Sequence, residues 1–351
     1  MRRVVLAVAL VLAACSSAIH LHGAIDHPVT ADGWPLTLEH FAPAPGSPTR
    51  ARPVVLCHGF GANRSYLKID EERSLPAVLS AAGYDVWLLD LRGREDAGAP
   101  GFWFGEHTYS YDVDDYIRSD VDAALAHVTR ATGKPQVTWI GHSMGGMIAY
   151  ARVGTYHDVR IAQLVTIASP GSFPPMSKVY LTAYKASGAL ALLPAVPVAF
   201  FARIYGALAT PFAPAIVLDA PFYRGNLKHG EEYTMASESA QNLAKPESRQ
   251  LLESVRRGEF VSADGKVSYS RGLAEVTVPT LVIGGRRDEL ADPMVIRESF
   301  ERLGSPDKEL LIVGRAAGFS EDYGHTDLIV GEPATREVIP RILDWLVRHE
   351  R

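Results

Sequence analysis

Gly141-His142-Ser143-Met144-Gly145 stands directly after an apolar β-type run, Gln136-Val137-Thr138-Trp139-Ile140, and directly before an apolar helical run, Met147-Ile148-Ala149-Tyr150-Ala151. A strand that passes into a helix through one tight turn holds the central serine in a strained backbone conformation. Its hydroxyl then projects from the edge of the sheet. The flanking positions are glycine because a Cβ there would strike the neighbouring strand and helix. Gly146 adds a further small residue where the helix leaves the strand.

A serine hydroxyl is a poor nucleophile at neutral pH, so this arrangement predicts a base and an orienting carboxylate elsewhere in the chain. Val278-Pro279-Thr280-Leu281-Val282-Ile283-Gly284-Gly285 reads as a buried parallel strand, with Arg286-Arg287-Asp288 at its carboxyl end. A last strand, Glu309-Leu310-Leu311-Ile312-Val313, precedes a loop with Tyr323-Gly324-His325-Thr326-Asp327. Ser143, Asp288 and His325 thus each fall just past the carboxyl end of a strand, where catalytic groups collect in open α/β sheets. In that order His325 takes the serine proton, and Asp288 fixes its tautomer and stabilises the imidazolium. An early buried strand, Pro53-Val54-Val55-Leu56-Cys57, ends in His58-Gly59-Phe60-Gly61. The backbone N–H groups of Phe60 and Met144 are the expected oxyanion donors. His58 is expected to brace its loop, and His142 to pack beside the elbow. Ordinary roles stand beside these. Asp288 alone suits an N-cap for the helix starting near Pro293, although Asp292 is better placed for that and is also the second candidate for the acid. His325 is one histidine among 12.

These stretches resemble the α/β-hydrolase fold and, within it, the acid lipase and esterase family. The resemblance is carried by Leu56-Cys57-His58-Gly59-Phe60, by Gly83-Tyr84-Asp85-Val86-Trp87-Leu88 with Arg92-Gly93, and by the serine elbow. Gly284-Gly285-Arg286-Arg287-Asp288 with Ala291-Asp292-Pro293, and Gly324-His325-Thr326-Asp327-Leu328, complete it. It spans most of residues 53–331. It implies hydrolysis of carboxylic esters of apolar acids through an acyl-enzyme, with Ser143, Asp288 and His325 as triad and no cofactor. Two features depart from it. The family's usual Asn-x-Arg-Gly is Asp90-Leu91-Arg92-Gly93 here. Tyr111-Asp112-Val113-Asp114-Asp115-Tyr116-Ile117, ahead of the elbow strand, is similar to polyester synthases, acyltransferases of the same fold. Those carry cysteine where this chain has Ser143, which favours hydrolysis over acyl transfer. A non-catalytic lipid-binding lipoprotein is the third alternative, and an intact triad speaks against it.

The N-terminus bears on location. Met1-Arg2-Arg3 is a basic start, and the apolar run from Val4 to Ala14 is far shorter than the roughly 20 residues needed to span a bilayer. It suits a signal peptide over 1–14. Leu12-Ala13-Ala14-Cys15-Ser16 resembles a bacterial lipoprotein cleavage site, so Cys15 is the expected lipid attachment point of an exported, membrane-anchored protein. Ser16 and Ser17 favour the outer membrane or cell surface by the same resemblance. Secretion without lipid is the alternative. Two or three acyl chains anchor stably, whereas one binds only marginally. Lipidation leaves Cys57 as the one thiol, expected to pack in the core.

With 47% hydrophobic and 21% charged residues, the chain has enough apolar surface for a substantial core. Its net charge of −5 gives no pull toward nucleic acid. No metal-ligand spacing is present beyond His20, His22 and His27, which read as linker or strand positions. The expected organisation is α/β with a mostly parallel sheet and helices on both faces. A linker covers 15–27, the catalytic domain 28–171 and 276–351, and a cap insertion 172–275. Residues 28–41 alternate about Asp32-Gly33 as a hairpin. Residues 112–132 read as an amphipathic helix burying Ile117, Val121, Ala124, Leu125 and Val128, with Gly133 as its stop. The first half of the insertion is apolar and Pro-interrupted, suited to roofing a substrate pocket. Its second half, from Lys228, is polar and expected to be solvated. Phe102, Trp103 and Phe104 either line the acyl pocket or simply pack. Oligomeric state is not legible.

Overall fold

The computed structural model describes residues 22–69, 73–173, 193–200, 202–203, 223–228 and 231–350. The expected signal peptide, Cys15, His20 and most of the apolar half of the insertion lie outside the described residues.

Eight strands form one sheet: β1 (Ala24–Asp26), β2 (Thr37–Phe41), β3 (Val54–Cys57), β4 (Val86–Asp90), β5 (Val137–His142), β6 (Ile161–Ile167), β9 (Thr280–Gly285) and β10 (Lys308–Val313). A separate antiparallel pair, β7 (Ala195–Val196) and β8 (Leu243–Ala244), belongs to the insertion. The order is β1-β2-β4-β3-β5-β6-β9-β10, with β1 and β2 antiparallel additions and the rest parallel. Every residue of β3, β4, β5 and β9 is buried, so the centre of the sheet is covered on both faces, as parallel sheets require. Connections leave β3 in one direction and β5 in the other. The crevice outside their carboxyl ends is therefore the topological switch point, where ligands bind in such sheets.

The linker expected over 15–27 is shorter than that. Ala24–Asp26 pairs with β2, so the hairpin strands lie outside the turn at Thr30–Trp34, bridged by Val29 and Pro35. Short alternation around Asp32-Gly33 marked the turn but not the strand beyond it.

Helix α1 (Leu75–Ala81) starts on the Ser74 side chain, which accepts from the Ala77 amide. The helix expected over 112–132 is broken into α2 (Val113–Asp115), a π-helical turn (Tyr116–Asp120) and α3 (Val121–Thr132). Asp112 and Asp115 form a capping box at its start, and Gly133 ends it at φ 67°. The five predicted apolar positions are all buried. The π turn carries Asp120, whose carboxylate accepts from the backbone and Nε of Arg92. Helix α4 (Met144–Tyr156) follows β5, and Cys57 is buried in β3, its thiol pushed above its ordinary value by burial.

The later part of the insertion is solvated on one side only: Arg256, Lys266 and Arg271 are exposed, while other polar residues are covered. Helix α5 (Glu231–Ser239) is followed by α6 (Lys245–Arg257), which buries Glu247, Gln250 and Ser254. Gln250 accepts from the Val113 amide and donates to Asp114, which also accepts from Tyr269 and the Ala263 amide. The polar residues are polar because they satisfy one another under cover. Helices α7 (Pro293–Arg302) and α8 (Ile339–Arg348) follow β9 and β10 in the chain. Among the described residues, no helix is long and apolar enough to cross a membrane.

Candidate active site

Ser143 occupies the turn between β5 and α4 at φ 53° and ψ −120°, a region that costs a non-glycine residue on the order of 1–3 kcal/mol. The surroundings over-determine it. The Ser143 amide donates to Ile167 O at 2.8 Å, and Trp139 Nε1 donates to Gly145 O at 3.0 Å. A Cβ on Gly145 would lie 2.4 Å from Cys57 O, and one on Gly141 would lie 2.3 Å from the carbonyl carbon of Gly145. Both glycines are therefore required by close approach, as the spacing predicted.

Asp288 lies past the end of β9 and is buried. Its Oδ1 accepts from the amides of Leu290 and Ala291 at 2.8 and 2.7 Å, and its Oδ2 accepts from His325 Nδ1 at 2.8 Å. With Nδ1–H given to the carboxylate, Nε2 of neutral His325 is left bare and basic. Asp292 is instead exposed, and its carboxylate accepts from the Met294 amide at the start of α7. The second candidate for the acid is thus the helix cap.

His325 reaches the elbow through its neighbour. His142 Nε2 lies 3.1 Å from His325 O, and the two rings are 4.7 Å apart. Ser143 Oγ and His325 Nε2 are not hydrogen-bonded to each other; in free enzymes this contact often tightens only when substrate binds.

The Phe60 loop packs directly on the elbow, since a Cβ on Gly59 would lie 3.1 Å from Ser143 Cβ. Met144 is the first residue of α4, so its amide has no acceptor within the helix. Neither that amide nor the Phe60 amide has a hydrogen-bond partner among the described residues. His58 is fully buried, and burial, aided by nearby Arg94, pushes its pKa down to about 3. Its neutral ring donates from Nδ1 to Gly59 O and accepts the Leu91 amide at Nε2. It braces the loop, as expected.

Three features escaped sequence reasoning. Asp327 is buried and accepts the Gly324 amide beside His325, while also accepting from Asn226 Nδ2 at 2.7 Å and the Tyr223 amide at 3.1 Å. The insertion is thereby fastened to the His325 loop. A second segment is fastened to the Phe60 loop: the Asn63 amide donates to Ser239 O and the Gln241 amide to Gly61 O. Tyr66 joins the Gly59 amide to His142, as described below. The Gly-His-x-Asp spacing marked Asp327; nothing local marked the other contacts.

Trp103 and Phe104 are 59% and 90% exposed, and Phe102 packs edge-on against Trp103 and Tyr109. Phe102 thus packs within the run itself. Among the described residues no group of three or more His, Cys, Asp or Glu side chains is placed to hold a metal ion.

The arrangement offers a strained hydroxyl, an imidazole oriented by a buried carboxylate and two open amides. Comparison with known proteins bears on the fold that carries it. A sequence model described as "alpha/beta hydrolase fold" matches residues 52–322. A tear acid lipase-like protein of Mesocricetus auratus is 30% identical over 139 residues, covering 36% of this chain and 33% of that protein. The gastric triacylglycerol lipase of Homo sapiens is 29% identical over 133 residues, covering 36% and 33%. The match therefore spans about a third of the length of these curated relatives. Among solved structures, a monoglyceride lipase of Saccharomyces cerevisiae superposes with a TM-score of 0.62 at 18% identity, over 95% of this chain and 98% of that one.

Proposed function

This chain belongs to the α/β-hydrolase fold family, and from that premise we propose that it is a serine hydrolase of carboxylic esters of apolar acids. The observation that carries the reading is the buried Asp288–His325 pair, held against the residue that precedes a positive-φ elbow serine. The names of the relatives, acid and gastric lipases, supply the substrate class.

In this mechanism His325 Nε2 takes the Ser143 proton as Oγ attacks the ester carbonyl. The carbonyl oxygen becomes an oxyanion and accepts from the Phe60 and Met144 amides, backbone donors that stabilise the developing charge. The imidazolium, stabilised by Asp288, then gives its proton to the departing alcohol oxygen. Water enters, His325 takes one of its protons, and the free acid leaves with Ser143 regenerated. An alcohol in place of that water would give acyl transfer through the same intermediate.

Two described segments of the insertion are bonded to the loops beside the site, 223–226 to the His325 loop and 239–241 to the Phe60 loop. Location enters the proposal through Cys15, whose context supports a lipid anchor holding the enzyme at a membrane where apolar esters concentrate. Incorporation of labelled palmitate, lost in Cys15→Ser, tests this part alone.

The central test is labelling with a fluorophosphonate probe. The wild type is expected to react at Ser143, and Ser143→Ala not at all. Release of free acid from p-nitrophenyl esters of graded chain length, with no acceptor but water, separates hydrolase from transferase. Absence of both labelling and turnover in a folded wild type refutes the reading.

A further inference from the structure

We infer that Tyr66 and His142 are positioning residues for this reaction, together holding the Phe60 loop and the His325 loop in register on either side of Ser143. The inference rests on the serine-hydrolase reading and concerns side chains that touch no reacting atom.

The contacts form a chain with a direction. Tyr66 lies in the 3-10 turn Arg64–Leu67 and is 3% exposed. Its hydroxyl oxygen accepts the Gly59 amide at 2.8 Å and lies 2.8 Å from His142 Nδ1. His142 Nε2 lies 3.1 Å from the backbone carbonyl oxygen of His325. A carbonyl oxygen only accepts, so Nε2 carries a hydrogen. Burial, with His325 alongside, lowers the His142 pKa well below its ordinary value, so the ring is neutral and Nδ1 is bare. Tyr66 must then donate to Nδ1. The sequence of donors is Gly59 N–H to Tyr66 O–H to His142, and His142 Nε2–H to His325 C=O. The opposite tautomer would set a nitrogen lone pair against the His325 carbonyl oxygen and leave Tyr66 facing an N–H.

Each end of the chain is one residue from the chemistry or on it. Gly59 precedes Phe60, His142 precedes Ser143, and the carbonyl that closes the chain belongs to His325 itself. Gly59 packs so closely that a Cβ there would lie 3.1 Å from Ser143 Cβ and 3.3 Å from His142 Nδ1. A rotation of this loop therefore moves the Phe60 amide relative to the serine. Misplacement by about 1 Å can cost on the order of 100-fold in rate.

Kinetics on a soluble p-nitrophenyl ester test the inference. Tyr66→Phe keeps the ring and removes the hydroxyl; we expect kcat to fall roughly 10- to 100-fold with KM little changed. His142→Ala is expected to fall at least as far. His142→Gln keeps a donor for the His325 carbonyl, and His142→Asn keeps an acceptor for Tyr66, so each is expected to recover part of the loss. In the wild type, 15N NMR of labelled histidine is expected to find His142, identified by the signals lost in His142→Gln, with Nε2 protonated and Nδ1 bare. The inference is overturned if Tyr66→Phe and His142→Ala keep wild-type kcat while only Tm falls, which makes the network purely structural. It is overturned if His142→Gln is as inactive as His325→Ala, because His142 would then move the proton itself. The other tautomer, or a charged His142 at neutral pH, also overturns it. A wild type that neither labels with fluorophosphonate nor turns over ester sinks the serine-hydrolase reading, and this inference with it.

Discussion

Two clusters of buried charge lie at the carboxyl ends of the same sheet. Around the end of β4, the carboxylates of Glu39, Asp90 and Asp120 each accept more than one hydrogen bond. Arg64 gives Nε to Glu39 at 2.6 Å and its backbone amide and Nη1 to Asp90, while Lys68 gives Nζ to Glu39 at 2.6 Å. Arg92 gives its amide and Nε to Asp120 at 2.9 and 2.7 Å and a two-pronged contact to Asp32. Past the end of β9, Asp288 also has both oxygens occupied, but its partner is a histidine with one nitrogen left open. Guanidinium does not lose its proton in proteins, so the first cluster is a fastening. Imidazole can change charge near neutrality, so the second is equipped for proton transfer. A saturated set of charges locks, whereas a set with one nitrogen left open can exchange a proton. The same comparison accounts for the departure at Asp90-Leu91-Arg92-Gly93: the carboxylate at position 90 is neutralised by Arg64, which the fold brings from another loop.

The largest effects break the reactive side. Ser143→Ala and His325→Ala are each expected to lower kcat by roughly 10⁴- to 10⁶-fold, with Asp288→Asn near 10⁴-fold, read by ester turnover. Their thermal stability should stay near that of the wild type; large unfolding would mean that this pair is also a fastening. Next comes the lock. Arg92→Met leaves the buried Asp120 carboxylate with a backbone donor but no counter-charge and is expected to cost about 3–5 kcal/mol in urea unfolding, with kcat of the folded fraction kept. Adding Asp120→Leu should recover most of that loss, since no charge is then stranded.

Acid sharpens the distinction. Burial works against it, yet hydrogen bonds from Arg160 and Arg152, at 2.6 and 2.7 Å, hold the Asp158 carboxyl down to about 2. A lowered folded value means that this stabilisation is present above the unfolded pKa near 4 and is lost as pH falls toward 2. Asp158→Asn should therefore cost about 2 kcal/mol at pH 6, and the gap in Tm should close between pH 4 and 2. The smallest effect is expected at a residue outside both clusters. Phe104→Ser, at 90% exposure, should change stability by less than about 0.5 kcal/mol and leave turnover of a soluble ester unchanged.

Much of the site was legible because its signals are local. The elbow is a five-residue pattern set by close backbone approach, and Ser143, Asp288 and His325 each follow an apolar strand that can be recognised alone. The helix over 112–132 was legible as a buried face but not as a broken helix, because the π turn keeps much the same apolar periodicity. In the second half of the insertion, composition does not say which polar residues are covered. A polar composition looks the same whether side chains meet water or, like Gln250 and Asp114, meet each other under cover.

The amino-acid order by itself determined the strand–elbow–helix unit, the succession of Ser143, Asp288 and His325 each past a strand end, and the positions where only glycine fits. These follow from steric and hydrogen-bonding demands between near neighbours in the chain. Tertiary structure decided which charges are locked and which is left open, that Asp292 caps a helix while Asp288 holds the histidine, and that Tyr66 meets His142. It also decided that Asn226 meets Asp327. Those outcomes depend on distances between residues tens to hundreds of positions apart, and such distances exist only after the sheet has closed and its loops have met.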